Sequence, residues 1–522
     1  MKKRVLSLVL AATMVGFVMT PVLAKEAEDS EERTTFTIAT VRWTDAWPNE
    51  FVHEGIMKEL EDKYNINIEW EFYYNNDWAE QKSLLLAGGD LPDAFFGSIC
   101  LTGNDIEQNK ECFVELTDLI AENMPNLSAI LEEDTALKAI AQNRDGEIYS
   151  LVKKLPLRAT VANNAYINKK WLDNLGLEMP KTYKDLENVL QAFLDEDADG
   201  DGDPNNEIPY TYTGSLKFDL RNILLPFGTM SSRADNYMGL NAEDEAVFMP
   251  VEENYKEAVI WMHGLYEKGL IDAEYFTQDS SMYSSKISAA GGSQTGLMFG
   301  WTADAEAGVN AGEFEIVPAL EGPDGNRYAE SDPTFLDMSA RELVITTSCE
   351  NPELLLQWAD EFYTDLVSLQ TYYGSIPNQI SDNGDGTYTL LEPEDGTSLD
   401  TSAWSNSVRD FGPKYMTDEF AANVILPTSQ GDGLKLASDI NAEYAAKCFP
   451  VVSYTEEQIM EMNMMTTDIY NFVEAQYAHW VVEGGIEEEW DSYIEQLNAM
   501  GLERLLEIQK DAYAHYLEIT AE

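Results

Sequence analysis

An α/β fold assembled as two or more globular units is predicted by three features of the sequence. The chain is 522 residues long and 44% apolar, enough for more than one core. Its first segment runs strand, helix, strand, helix, strand, the order that builds a parallel sheet with helices on its faces. Finally, there is no internal repeat and no low-complexity linker, so lobes made of discontinuous segments are expected.

The elements follow in order. Thr35 to Val41 alternates apolar and polar residues, which predicts a strand ending at Arg42-Trp43-Thr44-Asp45. Phe51, Ile56, Leu60 and Tyr64 recur near helical spacing and predict a helix over 50–64, and Ile66 to Trp70 resumes the alternation of a strand. A helix over 78–87 stops at Gly88-Gly89, and Pro92 to Gly97 reads as the third strand. Further helices are expected over 183–194, 255–268, 351–363, 490–500 and 502–517, with strands over 296–301 and 341–346. Asp382-Asn383-Gly384-Asp385-Gly386 has the spacing of a hairpin turn, with Thr387 to Leu391 returning as a strand. Gly291 to Thr295 lacks the Gly-Lys-Ser/Thr ending of a phosphate loop and reads as a plain turn.

Charge narrows the partners. With 33 Lys and Arg against 94 Asp and Glu, the net charge of −61 repels nucleic-acid phosphates and anionic lipid headgroups, so no nucleic-acid partner is expected. The N-terminus carries Lys2, Lys3 and Arg4, an apolar run from Val5 to Val18, and Ala24 before charged Lys25, which is the pattern of a secretory signal peptide over 1–24. Residues 25–33 read as a charged tether. The first cysteine is Cys100, so a lipobox is not expected and the chain reads as secreted, on the outer side of the bacterial membrane. Cys100 and Cys112 could pair in an oxidising exterior or stay as free thiols; the sequence leaves both open. The four histidines are scattered and suggest no zinc site.

One stretch is unlike the rest. Between Asp195 and Tyr210 the carboxylates of Asp197, Asp199, Asp201, Asp203 and Glu207 crowd into a small volume, with Gly202 as the turn. A hard dication relieves that repulsion, and Ca²⁺ accepts roughly six to eight oxygen ligands in a flexible geometry. The start matches an EF-hand loop, but the last carboxylate comes one residue early, so a structural Ca²⁺ loop other than an EF-hand is expected. It follows a predicted helix C-terminus, whose free carbonyls add to the demand for a cation.

Several segments resemble the bacterial extracellular solute-binding proteins of the family 1 type, in their LipO/YtcQ-like branch. They are Ala87 to Asp93, Asn168 to Leu177 with Pro180 to Tyr183, Asp201 to Pro209, and Trp490 to Tyr513. The resemblance implies a two-lobed periplasmic-binding-protein-like fold of type II, each lobe a mainly parallel sheet flanked by helices, joined by a hinge. It implies an N-terminal lobe of 34–160 and 335–400, and a C-terminal lobe of 161–334 and 401–522 with a helical C-terminus. It also implies a carbohydrate ligand handed to the permease subunits of an ABC importer, by a protein expected to be a monomer.

A sugar site needs aromatic faces and fixed polar groups around them. Open α/β sheets bind ligands at the carboxyl ends of their strands. Trp43 and Trp301 end predicted strands, and Ser98 follows a third. Trp78, Tyr373 and Trp404 are further platforms, with Asp45 and Arg221 as hydroxyl partners. The rival reading is a secreted carbohydrate-active hydrolase using paired carboxylates. Neither Gly-x-Ser-x-Gly nor His-Glu-x-x-His occurs, and with 94 acids a chance pair carries little weight, so binding without catalysis is the reading adopted.

Overall fold

The computed structural model describes residues 33–521 except 158–160, 162, 235, 332–337, 394–396, 398 and 428–438. The predicted signal peptide and all of the tether except Arg33 lie outside the described residues. Arg33 itself is ordered against Asp62 and the Ile66 carbonyl.

The strands show how the chain passes between lobes. β1 (Thr34–Arg42), β2 (Ile66–Tyr74), β3 (Ala94–Phe96) and β4 (Leu151–Lys154) belong to the first lobe. β5 (Asn164–Asn168), β6 (Ile208–Tyr210), β7 (Met238–Leu240), β8 (Ala246–Phe248), β9 (Thr295–Gly300) and β10 (Phe314–Ile316) build the second. The chain then returns to the first with β11 (Met338–Ile345), β12 (Ile380–Asp382), β13 (Tyr388–Leu390), β14 (Lys414–Tyr415) and β15 (Val424–Ile425). The first-lobe sheet has the order β14-β4-β11-β3-β1-β2, and the second has β10-β5-β9-β6. This is the two-lobed α/β architecture expected. Parallel pairing holds for β2, β1 and β3, whereas β11 returns from the other lobe and enters antiparallel to both β3 and β4. In the four-stranded second-lobe sheet only β6 and β9 are parallel, so the expectation of a mainly parallel sheet in that lobe is corrected: β5 pairs antiparallel with both β9 and β10.

β1 shows why the pattern succeeds. Phe36 and Ile38 enter the larger core beneath the sheet while Ala39 and Val41 enter a smaller one with Trp78 and Phe95, so successive side chains are buried on opposite faces. The helix expected over 50–64 is split into a short 3₁₀ turn (Glu50–His53) and a helix (Gly55–Tyr64). The break falls at the extended Glu54, and Gly55 follows at φ 50°, where a Cβ would meet Ser375 at 2.8 Å. The hairpin over β12 and β13 forms as predicted. Asp93 accepts from the Thr37 amide at 2.7 Å, tying the approach to β3 onto β1.

The lobe boundary at residue 400 is corrected. Residues 401–426 belong to the first lobe: Trp404, Val408 and Phe411 join its core, β14 pairs with β4, and β15 pairs with β13. Burial of Ala403 and Trp404 on one face of the helix Leu399–Asn406 holds this segment there. The expected crossings near 160 and 334 fall on or beside residues outside the described set, and residues 428–438, which follow β15, lie outside it as well. The last helices pack on the second-lobe core through Tyr477, Trp480, Trp490 and Tyr493, and also touch the first lobe. Arg144 pairs with Asp511 at 2.8 Å, and the Ser453 hydroxyl donates to the Gln142 carbonyl.

Candidate functional site: an interlobe cleft and an acidic loop

At the carboxyl end of β1, Trp43 is 47% exposed and its ring lies 6.1 Å from Phe411. Behind it Trp404 stacks on Trp47 at 4.9 Å and meets Phe411 edge-on at 5.3 Å. The buried Arg42 guanidinium sits within 6 Å of Trp47, Phe51 and Trp404 and donates to the Trp404 carbonyl; burial pulls its pKa down to about 10. Trp404 is thus a support beneath the exposed ring.

Phe411 is held by charge. Lys153 donates to the Asp410 carbonyl, Lys414 to the carbonyls of Phe411 and Gly412, and Glu342 accepts from the Gly412 amide at 2.9 Å. Gly412 has φ 86°, and a Cβ would strike the Phe96 ring at 1.9 Å. The loop can therefore take only this course over the sheet.

Not every predicted platform is open. Trp78 is 5% exposed, packs on Tyr73 and Phe95, and donates its indole N–H to the Cys100 carbonyl. Its side chain lies in the core, so the expectation of a sugar-facing ring there is corrected. Tyr373 is also buried, with the Arg409 guanidinium 4.9 Å from its ring. Ser98 is half-buried after β3, and Asp45 is exposed beyond Trp43. In the second lobe Trp301 is half-buried at the end of β9, and its carbonyl accepts from Tyr166. Arg221 is buried, not solvated, and donates to the Ser232 carbonyl.

A pocket of about 350 Å³ lies between the lobes. Glu107, Asn143, Tyr149 and Arg341 line it from the first lobe, and Asn236, Tyr454, Asn463, Thr466 and Tyr470 from the second. None of the eight residues singled out in the sequence is in its wall. The one available signal was a stripe at helical spacing, Ile459, Asn463, Thr466 and Tyr470, in which polar residues interrupt an apolar face. A second missed feature is Glu330, buried where the chain leaves the second lobe. It accepts from Arg233 at 2.6 Å and from the Asn163 amide at 2.8 Å, joining two of the crossing segments.

The acidic loop brings three of its five carboxylates together. Ligand atoms of Asp197, Asp199 and Glu207 lie within 4.8 Å of one another. Asp201 turns aside, accepting from the Asp203 amide and the Asn206 side chain, and Asp203 accepts from Asn205. Asp197 Oδ1 and Glu207 Oε2 are buried without hydrogen-bond partners, and burial holds the Glu207 carboxyl above its usual range. Two orphaned acceptors facing a third carboxylate suit a cation. All four cysteines are free thiols; burial pushes Cys100 up to about 12.

No protein-family model matches the chain. A curated relative does: the fructooligosaccharide ABC transporter substrate-binding protein FusA of Streptococcus pneumoniae is 30% identical over 491 residues, 90% of this chain and 88% of the relative. The chain belongs to the ABC-transporter substrate-binding proteins. Lipoprotein LipO of Bacillus subtilis is 25% identical to this substrate-binding protein over 411 residues, covering 76% and 77% of the two chains. The structure of S. pneumoniae FusA in complex with kestose superposes with a TM-score of 0.77 at 29% identity, covering 93% of this chain and all of that one. An EF-hand mutant of FusA in complex with fructo-nystose aligns equally well, at 28% identity. Among the described residues of this substrate-binding protein no helix is long and apolar enough to cross a membrane.

Proposed function

We propose that this substrate-binding protein captures an oligosaccharide between its lobes outside the cell and delivers it to the permease of an ABC importer, without catalysis. The carrying observation is the exposed Trp43 ring, braced by Phe411 and Trp404 at the carboxyl end of β1. A flat aromatic face binds the C–H face of a pyranose or furanose ring, and rim groups read its hydroxyls. Trp301 is the matching platform from the second lobe, and Asp45 and Ser98 are rim groups. The ligand bridges both lobes and selects the closed state. The FusA relative and its kestose complex make fructooligosaccharides the first ligands to try.

The same reading includes a structural Ca²⁺ held by Asp197, Asp199 and Glu207. It is supported by their orphaned oxygens and by the likeness to a protein studied as an EF-hand mutant. Bound there, the ion would neutralise the loop that links the helix Tyr183–Asp195 to β6.

Titrating kestose against tryptophan fluorescence, with a parallel melting curve and product assay, tests the function. Saturable quenching with a higher melting temperature is expected. Cleavage of the sugar without saturable stabilisation would replace this reading with the hydrolase.

A further inference from the structure

We infer that a small cavity of about 50 Å³ in the second lobe binds a monovalent anion of chloride size, held by the side-chain amides of Asn164 and Asn222. The site is independent of the sugar-binding reading above and stands or falls without it.

Stretches far apart in the chain meet at this cavity. Asn164 opens β5, Asn222 lies just after the short helix Leu216–Asp219, Glu330 lies between β10 and β11, and Asn441 lies between β15 and the helix Glu456–Glu483. Leu297 and Phe299 of β9 and Val317 give it an apolar lining. Small-molecule sites run from roughly 300 to 1,000 Å³, so no saccharide fits here. An ion or a few waters do, since one water needs about 10–15 Å³.

Two hydrogen-bond relays end at the cavity wall, each on a donor. The Ala319 amide donates to Asn441 Oδ1 at 2.8 Å, and Asn441 Nδ2 donates to Asn164 Oδ1 at 3.1 Å. A main-chain N–H can only donate, so the direction of this relay is fixed and Asn164 Nδ2 is left at its end. In the second relay the Asn163 amide donates to Glu330 at 2.8 Å, and Asn163 Nδ2 donates to Asn222 Oδ1 at 2.8 Å. That leaves Asn222 Nδ2. Asn164 and Asn222 are only 2% and 3% exposed, and neither Nδ2 has a hydrogen-bond partner among the described residues. Buried donors left unpaired are costly, so the wall calls for a group that accepts from both.

Charge selects that group. Arg221 is in the same wall and donates to the neutral Ser232 carbonyl. Glu330, the carboxylate of the wall, is matched by Arg233 at 2.6 and 3.2 Å. Two guanidinium groups therefore stand against one carboxylate. A buried water must also donate, yet Glu330 and the oxygens of Asn164 and Asn222 are already engaged, whereas an anion only accepts. The net charge of −61 opposes an anion at long range, but salt screens exposed charges beyond about 10 Å at 0.1 M. Bound to both amides, the ion would close the two relays into one network from Ala319 to Glu330. The neighbouring main chain is already aligned for this, because the Ala329 amide donates to the Tyr444 carbonyl at 2.8 Å and the Ala446 amide to the Ala329 carbonyl at 2.9 Å.

The test is thermal melting of the mature chain at fixed Ca²⁺ and fixed ionic strength, with sodium gluconate replaced stepwise by sodium chloride, for wild type, Asn164→Asp and Asn222→Asp. Each variant keeps an oxygen to accept from Asn441 or Asn163 and exchanges the open donor for a carboxylate oxygen. Chloride should stabilise wild type saturably, and the variants should need roughly tenfold more for the same rise, as when a hydrogen bond to a charged group is lost. Wild-type crystals grown in bromide give a reading that does not depend on the variants folding: an anomalous peak is expected within hydrogen-bond reach of both Nδ2 atoms. Three results would each overturn the anion: a wild-type melting temperature indifferent to chloride, a chloride effect of equal size in the variants, or density between the amides with no bromide signal. The last would assign the cavity to water.

Discussion

Lys153 reaches Glu342 at 3.0 Å beneath the loop that carries Phe411, and both side chains are buried. Lys414, fully buried beside them, donates to the Phe411 carbonyl. Two ammonium groups therefore lie near one carboxylate beneath the loop that braces Trp43.

Burial, with the Lys153 cation adding to it, pulls the Lys414 pKa down to about 7. Between about pH 7 and the usual lysine value, the unfolded chain binds a proton that the folded chain has released, so this group makes stability rise with pH. Lys414→Met should flatten that rise. The check is the difference in melting temperature between wild type and variant from pH 7 to 9.

Asp219 in the second lobe behaves with the opposite sign. It accepts from Tyr275 at 2.6 Å and Tyr477 at 2.7 Å, Tyr210 bonds Tyr275, and Glu474 is the nearby charge; burial raises Asp219 to about 7. From about pH 4 to 7 the folded chain holds a proton that the unfolded chain loses, so this group makes stability fall as pH rises. Asp219→Asn should remove that contribution, read as the wild-type minus variant difference in unfolding free energy across the window.

Chelation should lower thermal stability. A cation held at a hundred times its Kd contributes about 2.7 kcal/mol, which EDTA would remove. Asp199→Ala should make the melting curve insensitive to EDTA and to added Ca²⁺. A wild-type curve that does not move in EDTA counts against the metal.

The tryptophans should separate by exposure. Trp43→Ala and Trp301→Ala are expected to weaken sugar binding roughly tenfold or more with little change in melting temperature. Trp78→Ala should cost about 3–5 kcal/mol of stability, because it opens a cavity and leaves the Cys100 carbonyl unpaired. Calorimetric titration and urea unfolding of the three variants distinguish the two behaviours.

Much of the architecture was legible in residue order. β1, the helix Tyr183–Asp195 and the C-terminal helices follow from periodicity and caps, and the acidic loop from its alternating carboxylates, since each is decided by neighbours in the chain. The candidate site was less legible. Trp43 and Trp78 are the same residue type near the same sheet, yet one is half-exposed and the other is in the core. Trp404 at residue 404 was expected in the other lobe, because nothing local tells which core a helix face will join.

By itself, then, the sequence determined the α/β class, the strand ends that carry Trp43 and Trp301, and the acidic loop with its crowded carboxylates. These depend on local sterics, hydrophobic period and charge density, which act over a few residues. Only the tertiary structure decided that Asp201 and Asp203 turn away from Glu207, that residues 401–426 return to the first lobe, and that Arg341 faces Asn463 across a pocket. Those pairings join residues far apart in the chain, and burial and sheet pairing, not local preference, select them.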